Sequence, residues 1–191
     1  MKFTEYMPLA LRTAKSLPHD EQVQHAQLGL LTEIGELADM VKRHVIYGKD
    51  LDVVNGKEEL GDYCWYLGLY CHEQGIAALV IDEQIDKYKP QASVLMMATL
   101  MAGGLTGALT IDQKERGAPD ELVVHTIVPI LCELATWFGT TLGAALDTNI
   151  AKLAKRYGER YSDLAALNRD LAGERAVLEG SAGTDVDIQV G

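Results

Sequence analysis

Glu33 with Glu36, and Glu59 with Asp62, are two pairs of carboxylates at the same three-residue spacing. In a helix three residues advance the chain by about 300° and about 4.5 Å, so each pair projects from one side, one turn apart. Each pair sits on the shoulder of an apolar seam, formed by Leu30, Ile34, Leu37 and Val41 for the first and by Leu60, Cys64, Leu67 and Cys71 for the second. A single acidic pair is ordinarily a solvated face making local ion pairs, and Asp39 with Lys42 or Arg43 fits that pattern. Two pairs of identical spacing beside two buried seams are a different matter. If the helices pack as a hairpin, four carboxylates converge on one volume, where they repel and raise one another's pKa. A hard divalent cation removes the conflict, since Mg²⁺ prefers oxygen ligands and keeps waters and phosphate oxygens in its shell. Glu33, Glu36, Glu59 and Asp62 are therefore candidate metal ligands, with Mn²⁺ as a substitute ion.

The elements that position these acids are helical. Apolar residues recur at helical spacing nearly everywhere and no strand-like alternation stands out, which predicts an all-α bundle. Helices are expected over 3–16, 20–46, 56–74, 76–88, 92–110, 119–138, 141–157 and 162–178. Pro18 ends the first, Gly48 opens a loop, Asn55 with Glu58 has the spacing of a capping pair, and Pro90 and Pro119 mark later starts. The chain of 191 residues suits one domain over 1–180, with an acid-bearing half at 19–90, a second half at 91–157 and a helical extension at 158–180. Residues 181–191 lack a periodic apolar face and read as a flexible tail.

Seventeen Lys and Arg against 28 Asp and Glu give a formal charge of -11, which repels a nucleic-acid backbone; a small polyphosphate stays admissible because a bound cation reverses the local field. Three cysteines, Cys64, Cys71 and Cys132, lie in apolar helical patterns, unlike a disulfide framework or a paired-cysteine zinc site, and fit a reducing cytoplasm. The uncharged run 92–111 has the length of a membrane span and the GxxxG spacing at Gly103 and Gly107, but its Thr, Ser and Gly residues dilute it and its flanks carry no strong basic bias. Burial inside a bundle is the expectation, with Gly103, Gly104 and Gly107 allowing close helix approach.

A degenerate repeat is also legible. With one gap, Asp82, Ile85 and Lys87 match Asp147, Ile150 and Lys152, and Glu59 and Asp62 then fall near Val123 and Thr126, so the second half carries no acids at those places.

The run E-x-x-E, 22 residues, E-x-x-D, with "HAQLGLLTEIGELADMVKRHVIYGKDLD", "NGKEELGDYCWYL" and "NIAKLAKRYGERYS", resembles the MazG-like all-α nucleoside triphosphate pyrophosphohydrolases. "ALNRDLAGERAVLEG" is similar to extensions of bacteriophage members. The chain departs from that pattern at Thr32, where many members carry a further Glu, and in the long stretch between Asp62 and Asn149. The resemblance implies Mg²⁺-dependent hydrolysis of a (deoxy)nucleoside triphosphate to monophosphate and pyrophosphate, serving the nucleotide pool in phage DNA replication in the host cytoplasm, with dUTP as an alternative substrate. It implies a catalytic role for Glu36 and Glu59, one of the acids taking a proton from the attacking water. It places a phosphate grip on Asn149, Lys152 and Arg156, one helical face, with Lys155 and Tyr157 behind them. For the base, His25, Asn55 and Trp65 are the side chains suited to stacking and edge recognition, and Lys49 lies in the loop between the acidic helices. A homodimer is expected. A non-catalytic nucleotide-binding or assembly module is the competing expectation.

Overall fold

The computed structural model describes residues 1–180 apart from 92, 112, 118 and 169. Every regular element among them is a helix: α1 Phe3–Leu11, α2 His19–Tyr47, α3 Val53–Glu73, α4 Ala78–Lys87, α5 Leu95–Ala108, α6 Gln113–Arg116, α7 Asp120–Trp137, α8 Leu142–Tyr157, α9 Asp163–Leu167 and α10 Leu171–Gly180. The tail expected at 181–191 lies outside the described residues.

Local chemistry sets the ends. α2 carries Asp20 and Glu21 in its first turn, where the helix dipole favours anions, and stops at Gly48, whose φ of 64° is the left-handed geometry of a helix C-terminus. The capping pair expected at Asn55 and Glu58 is not formed: Asp52 accepts from the Asn55 N–H at 3.0 Å, so the helix begins earlier and Asn55 lies inside its first turn. α1 ends at Leu11 rather than at 16, because the Thr13 hydroxyl donates to the Ala10 carbonyl at 2.7 Å and tight turns replace the helical ladder. The helix expected over 162–178 is two, divided at Asn168. The four-residue α6 had no periodic pattern to announce it.

Both apolar seams are buried as read from the sequence: Leu30, Ile34, Leu37 and Val41 on α2, and Leu60, Cys64, Leu67 and Cys71 on α3. α3 folds back on α2, α7 packs on α5, and α2 and α5 lie against each other. α8 packs on α3 while α4 packs on α7, and α1 touches α3, α4 and α8. Exchanging α2, α3 and α4 for α5, α7 and α8 maps α2–α3 onto α5–α7 and α3–α8 onto α7–α4 and leaves α2–α5 in place, but the packing of α1 on α3 has no comparable counterpart on α7.

The glycines that admit close approach are not those of α5. A Cβ at Gly104 or Gly107 would meet nothing within 4 Å, and at Gly103 only Ile34 at 4.0 Å. The tight places between long helices include Gly29, under the Tyr66 ring, Gly56, under Phe138, and Gly61, where a Cβ would stand 3.0 Å from the Asn149 Cβ. Among the described residues no single helix is long and apolar enough to cross a membrane; α7 and α8 pass such a test only as a pair bent by 80°.

Candidate functional site

The α2–α3 hairpin carries Glu33, Glu59 and Asp62 to one point: each offers a carboxylate oxygen, and these oxygens lie within 4.8 Å of one another. Glu36 does not join them. One turn further along α2 it is exposed and lines a different cavity, although its charge still acts on Glu33 and Glu59. Glu59 is 7% exposed. Burial first, then the neighbouring acids, pushes Glu33 up to about 7 and Glu59 up to about 9. The two share a proton, with the Glu59 carboxyl donating to the Glu33 carboxylate.

Asp62 has partners. Asn149 Nδ2 donates to Asp62 Oδ1 at 2.7 Å and accepts, at Oδ1, from the Tyr6 hydroxyl at 2.7 Å. Lys152, fully buried, pairs with Asp62 and with Glu58, the latter at 3.3 Å. α8 can bring these groups in because Gly61 leaves no side chain between the helices. Asn149 and Lys152 thus fix an acid. Arg156, next on the same face, makes a two-pronged pair with Glu174 of α10, Nε to Oε1 at 3.0 Å and Nη2 to Oε2 at 2.5 Å. Lys155 pairs with Asp170 at 3.4 Å.

The trio forms a partition between two cavities. One, of about 380 Å³, is lined by Glu33 and Asp62 together with His25, Trp65, Tyr66, Arg156, Tyr157 and Tyr161. His25 stands edge-on to Trp65 and Tyr66, with ring centroids 6.0 and 5.5 Å away. Its pKa is lowered by desolvation and its buried Nδ1 has no hydrogen-bond partner among the described residues. Trp65 spends its indole N–H on the Ala10 carbonyl and the Thr13 hydroxyl, leaving its ring for contact. The other cavity, of about 800 Å³, is lined by Glu36, Glu59, Lys49, Asn55 and Arg43, with Asp39, Asp50 and Asp52. Lys49 and Asn55 therefore lie beyond the partition from His25 and Trp65.

Tyr66 follows Asp62 by four residues on the same helical face, a spacing from which it could have been anticipated. Glu58 precedes Asp62 by four residues on the same face of α3 and was legible in the same way, whereas Tyr161 and Glu174 reach the site through tertiary packing, which has no local signature. No protein-family model, curated protein or solved structure matches this chain.

The residues fit a hard divalent cation. Three oxygen donors converge, the pKa values of Glu33 and Glu59 are pushed up by burial and by the neighbouring acids, and the nearby Lys152 is committed to Asp62 and Glu58.

Proposed function

We propose that the chain is a Mg²⁺-dependent hydrolase of (deoxy)nucleoside triphosphates, releasing the monophosphate and pyrophosphate. The observation that carries this is the convergence of Glu33, Glu59 and Asp62 at the wall of an aromatic cavity of nucleoside size. The resemblance of the two acidic motifs to those of MazG-like pyrophosphohydrolases supports the same chemistry.

A divalent ion held by Glu33, Glu59 and Asp62 would neutralise phosphate charge and acidify a bound water. The protein's own residues supply the rest. Asn149 and Lys152 hold the Asp62 carboxylate in place. His25, Trp65 and Tyr66 offer apolar ring surface to a base, and the unpartnered His25 Nδ1 offers one hydrogen bond to its edge. Arg156 keeps a guanidinium at the cavity wall for phosphate oxygens. Glu36, exposed and outside the trio, is the carboxylate left to take the proton of the attacking water.

A second function, nucleotide binding without turnover, is favoured by one observation: Lys152 and Arg156, the cations expected to grip phosphate, are already engaged by Glu58, Asp62 and Glu174. Incubating the protein with Mg²⁺ and a panel of common and modified nucleoside triphosphates, dUTP included, separates the two. Monophosphate and pyrophosphate in equal amounts, lost in Glu59→Gln, are expected of the hydrolase. Tight binding with no product from any nucleotide would establish the binder instead.

A further inference from the structure

A third cavity, of about 520 Å³, lies between α4, α5 and α7. The aromatic cavity is lined chiefly by α2, α3 and α8, and the exchange of halves that carries α2–α3 onto α5–α7 and α3–α8 onto α7–α4 takes those three to α5, α7 and α4. The residue register agrees. Pairing Asp62 with Thr126 places Trp65 and Tyr66 opposite Pro129 and Ile130, and pairing Asp82 with Asp147 places Leu153 and Arg156 opposite Tyr88 and Gln91. All eight residues line their respective cavities. The paired aspartates also grip the same stretch of chain: Asp82 accepts from the Phe3 and Thr4 N–H groups at 2.6 and 3.1 Å, and Asp147 accepts from the amino group of Met1 at 2.7 Å.

The mate has the same architecture and different chemistry. Val123 and Thr126 stand where Glu59 and Asp62 are, and Gln91 where Arg156 is, so neither a divalent cation nor a triphosphate has a counterpart to hold it. What remains is an apolar floor of Met97, Met101, Pro129 and Ile130, with Met97 and Met101 half-exposed, under a rim carrying Lys87 and Lys89. The one acid in the lining, Glu133, has its oxygens occupied by Tyr88, Gln91 and Ser93. Lys87 makes an exposed pair with Glu83 at 3.4 Å, which is readily exchanged.

We infer that this cavity is a second, metal-independent site for a nucleoside monophosphate, its base on the methionine floor and its phosphate on Lys87 and Lys89. Adaptable, polarizable methionine surface can mould to a planar base, and two lysines match a single phosphate dianion in a chain otherwise strongly acidic. The assignment rests on the proposal that the aromatic cavity takes a nucleotide.

Calorimetric titration of the full chain in EDTA with deoxynucleoside monophosphates, and with inorganic phosphate as control, tests it. Saturable binding of at least one monophosphate is expected, weakened about tenfold or more by Lys87→Glu with Lys89→Glu and unchanged by Glu33→Gln or Trp65→Ala. No saturable binding in EDTA would overturn it, as would binding lost in Trp65→Ala but kept in the lysine variant. A dimer in sedimentation that Met97→Glu with Met101→Glu dissociates, with no monophosphate bound, would also overturn it by giving the floor to a second copy. Triphosphate turnover in Mg²⁺ is scored separately, so failure of the hydrolase proposal is distinguishable from failure of this one.

Discussion

At the scale of the residue, the central feature is that Glu59, buried, and Glu33, half-buried, share a proton, both pushed above the ordinary carboxylate range by desolvation and by the acids around them. Both pKa values are raised above the ordinary 4.5, so the folded chain binds protons that the unfolded chain has lost. Stability in EDTA must then fall as pH rises from about 5 through about 7 to about 9, and level off above. Chemical denaturation across that range measures it, and Glu33→Gln with Glu59→Gln should flatten the slope, as should added Mg²⁺. A slope of opposite sign would mean the pair is ionised and otherwise compensated. Lys152 makes the complementary case. Fully buried between Glu58 and Asp62, it cannot be removed without leaving two acids uncompensated, and Lys152→Met should cost about 3 kcal/mol of folding stability, partly restored by Mg²⁺. Equilibrium denaturation with and without the ion reads both numbers.

At the scale of the element, the site depends on where helices can touch. α8 reaches Asp62 only because Gly61 has no side chain, whereas Gly104 of α5 faces open space. Gly61→Val should therefore destabilise by about 1–3 kcal/mol and detach Asn149 from Asp62, while Gly104→Ala should stabilise by about 0.5–1 kcal/mol. Denaturant midpoints for the pair of variants check the contrast. The helices themselves were legible because their seams repeat at helical spacing, and all eight seam residues of α2 and α3 are buried. The α5 glycines misled for a physical reason: small residues spaced by four permit close packing without requiring it, and among the described residues a Cβ at Gly104 or Gly107 would meet nothing within 4 Å. Asn55 misled because Asp52, three residues upstream, has the stronger acceptor.

At the scale of the whole molecule, the acidic cluster and the aromatic cavity were unequally visible. Identical spacing on two neighbouring helices announced Glu33, Glu59 and Asp62, but not that Glu36, one turn on, would turn into a separate cavity. The expected phosphate face of α8 exists, yet Asn149 and Lys152 point to Asp62 and Arg156 to Glu174, pairings set by the arrival of α3 and α10 from distant parts of the chain. Sequence spacing records which residues share a helical face; only the assembled bundle decides what that face meets. The most direct measurement is anomalous diffraction from crystals holding Mn²⁺ and an α,β-imido nucleoside triphosphate. An anomalous peak bounded by the carboxylates of Glu33, Glu59 and Asp62, with the base among His25, Trp65 and Tyr66, is the expected result. Those carboxylates without a metal peak, or manganese bound elsewhere on the chain, would contradict the account.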